Sequence, residues 1–387
     1  MLKLDLGAGA VSPAEFLPLG NINGTQIFPL PSIPDNSCDV IRASHVLEHF
    51  ARADIPKVIA EWVRCLRPGG ELKIAVPDFR RIAEGYLAGA PQPTDGYVMG
   101  GQIDGADFHK ALFDELHLKK LMAAAGLMLI RPWVSELPND CAALPISLNL
   151  VGTKPHLAEI AVTAVMSVPR LGFMDNFFCA FEALPKLNIK IRRYTGAYWS
   201  QCIERVIEQA IAEDQPDAVL TLDYDSVYTA RDVGTLMQLM CCHPEADAIA
   251  AVQAGRALGR SLVSIDGTES VNGEIQVPRE TFAGDLFKCK TAHFGLTLMR
   301  SRCFENLPRP WFLDVPDDEG RWSDARRDAD IEFWNKWAAA GHSLYLANRV
   351  PIGHLELSVL WPGEDLRTVH QPMKDYRDNG KPKECWT

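Results

Sequence analysis

Ala218 to Val227, reading AVLTLDYDSV, constrains the fold of this chain more than any other stretch. Its apolar run, Ala218, Val219, Leu220 and Leu222, is short and continuous. That pattern marks a strand buried on both faces at the centre of a parallel sheet. Asp223, Tyr224 and Asp225 then fall at the strand's C-terminal end, where open α/β sheets place their ligands. Strand alternation sends the two carboxylates to one side. Like charges so close repel unless a cation joins them, and hard oxygen ligands suit Mg2+ or Mn2+. The competing reading is a surface turn in which Asp225 caps a helix starting near Thr229.

At 387 residues and 47% hydrophobic content the chain is long enough for two cores, so two domains are expected. A net charge of −11 argues against a nucleic-acid backbone as the main partner. The ten cysteines show no C-x-x-C pair, and no secretory leader or membrane-length apolar run is evident. Reduced thiols in the cytoplasm are the expectation.

Both halves read as α/β. In the first, Leu2 to Leu6 is a strand running into Gly7-Ala8-Gly9-Ala10, a turn that lets a nucleotide-like ligand approach the backbone. Val40 to Ser44 is a strand. Ala51 to Leu66 has helical periodicity (Ile55, Val58, Ile59, Trp62, Val63, Leu66) and stops at Arg67-Pro68-Gly69-Gly70. Glu71 to Val76 is a strand, Asp107 to Ala125 a helix, and Ser147 to Thr153 a last strand. After Lys154-Pro155-His156 the pattern restarts. Strands at Ile160 to Val168, Ile189 to Tyr194, Ala218 to Leu222 and Ala248 to Val252 alternate with helices at Met174 to Leu187, Trp199 to Ala212 and Thr229 to Cys242. This is a second doubly wound sheet with Asp223-Tyr224-Asp225 on its third strand. Lys288 to Arg300 reads as a further strand. Arg326 to Ala340 reads as a helix with Ile331, Trp334, Trp337 and Ala338 inward. Leu344 to Val350 is a strand ending in Pro351-Ile352-Gly353-His354. The expected division is 1–155, 156–365 and a polar tail, 366–387.

LDLGAGA, DNSCDVIRASHVLEHF and WVRCLRPGGELKIAVPDF together resemble the class I S-adenosylmethionine-dependent methyltransferases over residues 1–154. The resemblance implies a Rossmann-like sheet, with Gly7 and Gly9 lining the nucleoside pocket. Asp5 joins them among the cofactor-binding residues, and Ser44-His45 lie near the methionine end. Such domains continue through a helix and a second strand ending in an acid that binds the ribose hydroxyls. Here Val11 to Leu30 contains only Glu15 as an acid, so helix and strand read as trimmed or lost, which counts against the cofactor. His45, Glu48, His49 and His109 could be taken for a metal cluster. The resemblance already accounts for HVLEH, and structural hydrogen bonding is the expectation for Glu48 and His49.

The second half is similar to the GT-A glycosyltransferases over residues 160–357, through the strand with DYD, then HFGLTLMR, DADIEFW and GHLE in that order. This resemblance implies that Asp223, Tyr224 and Asp225 lie over a nucleotide-sugar diphosphate, of UDP or GDP type. Asp223, Asp225 and His354 would hold Mn2+ or Mg2+, with Asp225 the more direct ligand. Pro169 and Arg170 would border the base. Asp330 would take the proton from the acceptor hydroxyl, with Asp328 as the rival base. Carboxylates in a first helical turn are often only caps. The expected function is metal-dependent sugar transfer to a hydroxyl of a glycan, protein or other acceptor. The alternatives are a bifunctional glycosyltransferase and methyltransferase, or an adaptor with two vestigial nucleotide folds.

Overall fold

The computed structural model describes the chain apart from residues 10–11, 21–23, 106, 136, 138, 157–159, 169–171, 255–262, 265–269, 272–273, 276–283, 324–325, 363–366 and 384–387. It divides into two compact units, residues 1–157 with 283–285, and 158–282 with 286–387. Each is built on a mixed α/β sheet, as the patterning implies.

The first unit contains β1 (Lys3–Leu6), β2 (Leu17–Leu19), β3 (Cys38–Ser44), α1 (Ile55–Cys65), β4 (Leu66–Pro77), α2 (Phe79–Leu87), α3 (Thr94–Met99), α4 (Glu115–Ala124), β5 (Met128–Pro132) and β6 (Ser147–Thr153). Its six strands lie in the order β2-β1-β3-β4-β6-β5. β1 to β4 run parallel, and β6 is antiparallel to both its neighbours. The apolar stripe of α1 is buried as its period requires, and Trp62 inside it donates to the Ile27 carbonyl at 2.9 Å. Burying an indole contributes about 4 kcal/mol or more by area.

Of the two readings of the second strand, trimmed holds and lost does not: β2 keeps three residues and pairs with β1 from Leu4↔Leu17 to Leu6↔Leu19. Only the helix before it is absent among the described residues. Two expectations need correction here. Arg67-Pro68-Gly69-Gly70 belongs to β4, because Leu66 turns extended at the end of α1 and Gly69 takes φ +79° inside the strand. Finally, residues 107–113 are loop, and α4 begins at Glu115 behind the Asp114 cap, whose carboxylate accepts from His117 N at 2.7 Å. The loop is held extended by backbone bonds, Lys110 N to Glu48 O at 2.7 Å and His109 N to Met99 O at 3.1 Å. Backbone partners outside the segment override its helical period.

The second unit contains β7 (Val162–Ser167), α5 (Met174–Ala183), β8 (Lys190–Tyr194), α6 (Trp199–Asp214), β9 (Ala218–Leu222), β10 (Ser226–Val227), α7 (Ala230–Cys242) and β11 (Ala248–Gln253). There follow β12 (Val263–Ser264), β13 (Ser270–Val271), β14 (Glu274–Ile275), β15 (Leu286–Lys288), β16 (Thr291–Ala292), β17 (Leu296–Arg300), α8 (Ala329–Ala339) and β18 (Leu344–His354). The main sheet runs β10-β18-β11-β17-β9-β7-β8, with β15 on β18. Residues 288–300, expected as one strand, are β15, β16 and β17. The last of these enters the sheet antiparallel between β9 and β11.

β9 is buried at all five positions, as its composition implies. α6 buries Ile203, Val206, Ile207 and Ala210 on β7 and β9. α8 buries Phe333 beside Trp334 and Trp337, whereas Ile331 is 39% exposed and Ala338 also faces out. The rotation follows from an aromatic cluster: Phe294 stacks on Trp334 at 5.1 Å and Phe312 on Phe333 at 4.5 Å. The polar stretch expected as a tail carries structure too. β20 (Thr368–Pro372) pairs with β19 (Ser358–Pro362) and leads into α9 (Met373–Asn379), with Gln371 buried and bonded to Trp361 Nε1 at 2.9 Å.

Candidate functional site

β9 ends at Leu222, and Asp223 to Asp225 is a turn, so strand alternation does not aim the two carboxylates. The buried Asn176 of α5 sets them instead. Its side-chain amide donates to Asp223 O at 2.8 Å and to Ser226 O at 2.6 Å, spanning the turn. β10 then pairs antiparallel with the end of β18, Ser226 opposite His354. β18 reaches that far because it continues through Pro351 at a register shift, a position where proline is tolerated. Leu355 N closes the pairing on Asp225 O at 2.7 Å.

Asp225 is thereby buried, with Oδ2 3.3 Å from His354 Nε2. His354 Nδ1 lies 2.9 Å from the Ala254 carbonyl, which can only accept, so Nδ1 carries hydrogen. In the neutral ring, Nε2 presents its lone pair beside the carboxylate, an arrangement suited to sharing a cation. Asp223 is half-buried, and its Oδ1 accepts from Tyr224 N at 3.0 Å. Asp225 does not cap the next helix. α7 is capped by Thr229 and Asp232 in a reciprocal box.

Asp223, Tyr224 and His354 line one cavity of about 460 Å3 together with Asp328 and Asp330. Asp328 and Asp330 open α8, but the cap is supplied from elsewhere: Asp314 Oδ1 accepts from Ala329 N at 2.9 Å. Asp328 instead accepts from Arg326 Nε at 2.8 Å. Among the described residues Asp330 is bonded only locally, by Ile331 N at 2.8 Å. Burial pushes its carboxyl up from the usual aspartate range, Asp328 adds to this, and the Ile331 amide opposes it. A more basic carboxylate is better matched to taking a proton near neutrality. Pro169 and Arg170 lie outside the described residues.

Sequence reasoning missed three supports of this cavity: Asn176, Gln253 and His293. Gln253 Nε2 donates to Ser226 Oγ at 3.0 Å and Gly353 O at 3.3 Å. His293 Nε2 donates to Ala251 O at 2.8 Å while its Nδ1 accepts from Gly295 N at 2.9 Å, fixing a neutral tautomer. A Cβ on Gly295 would lie 2.5 Å from Ser226 Oγ, so glycine is required for this close packing. The only sequence signal was the run HFG itself.

Burial holds His293 down at about 4, with nearby His354 contributing. The folded state therefore favours neutral His293. Its contribution is complete above the unfolded value and is lost as pH falls from about 6.5 toward 4, about 3 kcal/mol in all. Denaturant unfolding at pH 7.5 and 4.5 checks this. The difference shrinks in His293→Gln, and an unchanged difference refutes the assignment.

In the first unit, the residues expected around the methyltransferase cofactor mostly bind one another. Asp5 is fully buried and paired with Arg42, which also pairs with Asp140. Ser44 Oγ donates to Asp140 Oδ1 at 2.8 Å. Gly7 takes φ +69°, and a Cβ there would lie 2.3 Å from Val46 Cγ2; Gly9 meets nothing within 4 Å. The Gly7 and Ala8 amides both donate to Leu19 O, at 2.7 and 3.1 Å. The residue after β2, where the acid would stand, is Gly20.

His45 Nε2 lies 2.9 Å from Ser147 Oγ, and its Nδ1 is 3.4 Å from Glu48 Oε1. Burial, with His109 nearby, holds His45 down at about 4, and burial pushes Glu48 up to about 8. The hydrogen bonding expected for Glu48 is not found: neither carboxylate oxygen accepts from another described residue. Among the described residues, two groups bring three ligand atoms within 4.8 Å of one another, Glu48-His49-His109 and Asp247-Cys303-His342. Asp223, Asp225 and His354 do not form a third. In the second group Asp247 is engaged by Ser343 N at 3.0 Å and Arg302 at 3.2 Å.

The family model for a methyltransferase domain matches residues 4–74. No curated protein matches. Among solved structures, A197 from STIV is 16% identical, with 54% of this chain and 93% of that chain covered and a TM-score of 0.35. A SAM-dependent methyltransferase from Archaeoglobus fulgidus is 14% identical over 39% of this chain and 85% of its own, TM-score 0.27. GalNAc-T7, crystallised with UDP, GalNAc and Mn2+, is 11% identical over 50% of this chain and only 44% of its own, TM-score 0.33. The N-terminal region is thus similar in sequence to the methyltransferase domain, on a mixed α/β sheet whose glycine turn is closed by its own second strand.

Proposed function

We propose that the chain is a two-part transferase. Its C-terminal unit, the 156–365 region, moves a sugar from a nucleoside diphosphate donor to a hydroxyl of a glycan, protein or other acceptor. Its N-terminal unit, the 1–155 region, is methyltransferase-like. The observation that carries the reading is the pairing of Asp225 with His354 across β10 and β18, at the cavity that Asp223, Asp328 and Asp330 line.

Two carboxylates and one imidazole nitrogen are a donor set suited to Mn2+ or Mg2+. Asp225 and His354 would hold the ion, with Asp223 reaching it from the turn. When bound, the ion offsets the negative charge that builds on the diphosphate leaving group. Asp330 accepts the proton of the incoming hydroxyl. Tyr224, half-buried beside them, walls the cavity where the donor would lie. Calorimetric titration with UDP and GDP, with and without Mn2+, tests this. The expected result is binding of one nucleotide that requires the metal; no binding of either in its presence removes the reading.

A second reading, in which both parts are active, is favoured by the family match over residues 4–74. The fit of S-adenosylmethionine is incomplete. β2 ends without an acid for the ribose hydroxyls, and the Gly7 and Ala8 amides are already engaged by Leu19 O. Titration with S-adenosylmethionine decides between the two: measurable binding makes the chain bifunctional, and its absence leaves the N-terminal unit a scaffold.

A further inference from the structure

We propose that the N-terminal unit binds a divalent transition-metal ion of the Zn2+ class through Glu48, His49 and His109, independently of any activity of the C-terminal unit. Glu48 lies in the single 3-10 turn, Leu47–His49, that follows β3. Its carboxylate is completely buried and accepts no hydrogen bond from another described residue. A buried carboxyl group with no donor is costly unless a cation or proton satisfies it.

Three imidazoles surround it. His49 Nδ1 lies 3.2 Å from the Phe108 carbonyl, and His109 Nδ1 lies 3.1 Å from the Tyr97 carbonyl. A carbonyl only accepts, so both Nδ1 atoms carry hydrogen and each Nε2 is left with its lone pair. This outer support is what metal-binding histidines need to hold their tautomer and orientation. His109 Nε2 is 4.0 Å from Glu48 Oε1, and the two histidine rings are 5.0 Å apart.

His45 also presents a lone pair to Glu48 Oε1. Ser147 Oγ donates to Asn149 Oδ1 at 2.7 Å, so it must accept from His45 Nε2, and His45 Nδ1 faces Glu48 Oε1 at 3.4 Å as an acceptor. Acceptors from Glu48, His49 and His109 converge within 4.8 Å of one another, and His45 stands beside Glu48 outside that group. Ligand atoms at ~2.0–2.2 Å around a tetrahedral ion sit about 3.3 Å apart, so a small contraction closes the set. Two histidines and a glutamate leave a further position open, and His49 and His109 are half-buried, which gives an ion a way in. The ion would also tie the 107–113 loop, which carries His109, to the end of β3.

The experiment uses the full chain carrying Asp225→Ala, so that the C-terminal carboxylate pair does not compete. After chelation and dialysis it is titrated with Zn2+, and with Co2+ as a spectroscopic probe. The expected result is one tightly bound Zn2+ and a ligand-field absorption with Co2+. Both weaken about tenfold or more in Glu48→Gln and in His109→Asn, circular dichroism staying unchanged. His49→Asn serves as a further variant should either of these fail to fold. If no Zn2+ binds, or binding is the same in these variants, Glu48 is satisfied by a proton and the proposal fails. Because Asp225 is absent throughout, the outcome is separate from that of the sugar-transfer reading.

Discussion

Asp225→Asn is expected to abolish metal-dependent binding of the nucleoside diphosphate and to lower sugar transfer about 100-fold or more. The substitution keeps the shape of the side chain and removes its charge. Asp225 is 1% exposed, so nearby water cannot replace the lost carboxylate. His354 Nε2 would then face an amide 3.3 Å away in place of an anion. The turn itself should persist, because its supports are backbone groups: Asn176 bridging Asp223 O and Ser226 O, and Leu355 N on Asp225 O. Titration of nucleotide with Mn2+ and a transfer assay on the same protein check this. Wild-type binding and rate in a folded Asp225→Asn chain would falsify the metal assignment.

Asp330→Asn is expected to lower kcat by about 10²- to 10⁴-fold while leaving nucleotide binding nearly intact, since a general base acts on the acceptor and not on the donor. The parent enzyme should lose activity as Asp330 protonates. Because burial raises this carboxyl, the acidic limb of the pH profile lies above the usual aspartate range. Asp328→Asn should cost far less, as that carboxylate is tied to Arg326. A profile in which Asp328→Asn removes the acidic limb and Asp330→Asn does not would reverse the two roles. Helix stability does not confound the comparison, because the α8 cap comes from Asp314.

Much of the architecture was legible in local pattern. β9 is continuous and apolar because both its faces are covered, and α1 and α6 bury the stripes their periods mark. The failures share one cause. Residues 107–113 have a helical period but are held extended by Met99 O and Glu48 O, groups remote in sequence. Ile331 and Phe333 exchange places on α8 because Phe294 and Phe312, from other segments, set which face the helix turns inward. β2, read as trimmed, survives as three residues because pairing with β1 needs only a short extended run.

The α/β class of both units and the place of Asp223-Tyr224-Asp225 just past a buried strand were determined by the amino-acid sequence alone. Periodicity reports which faces are buried, and burial is a local property. Which distant side chains meet was decided only by tertiary structure. His354 reaches Asp225, 129 residues away, because a two-residue strand pairs with the end of β18. Glu48 meets His109 because a loop is strapped to the turn after β3. Strand register and loop path are set by hydrogen bonds between remote segments, and no local pattern of residues encodes them.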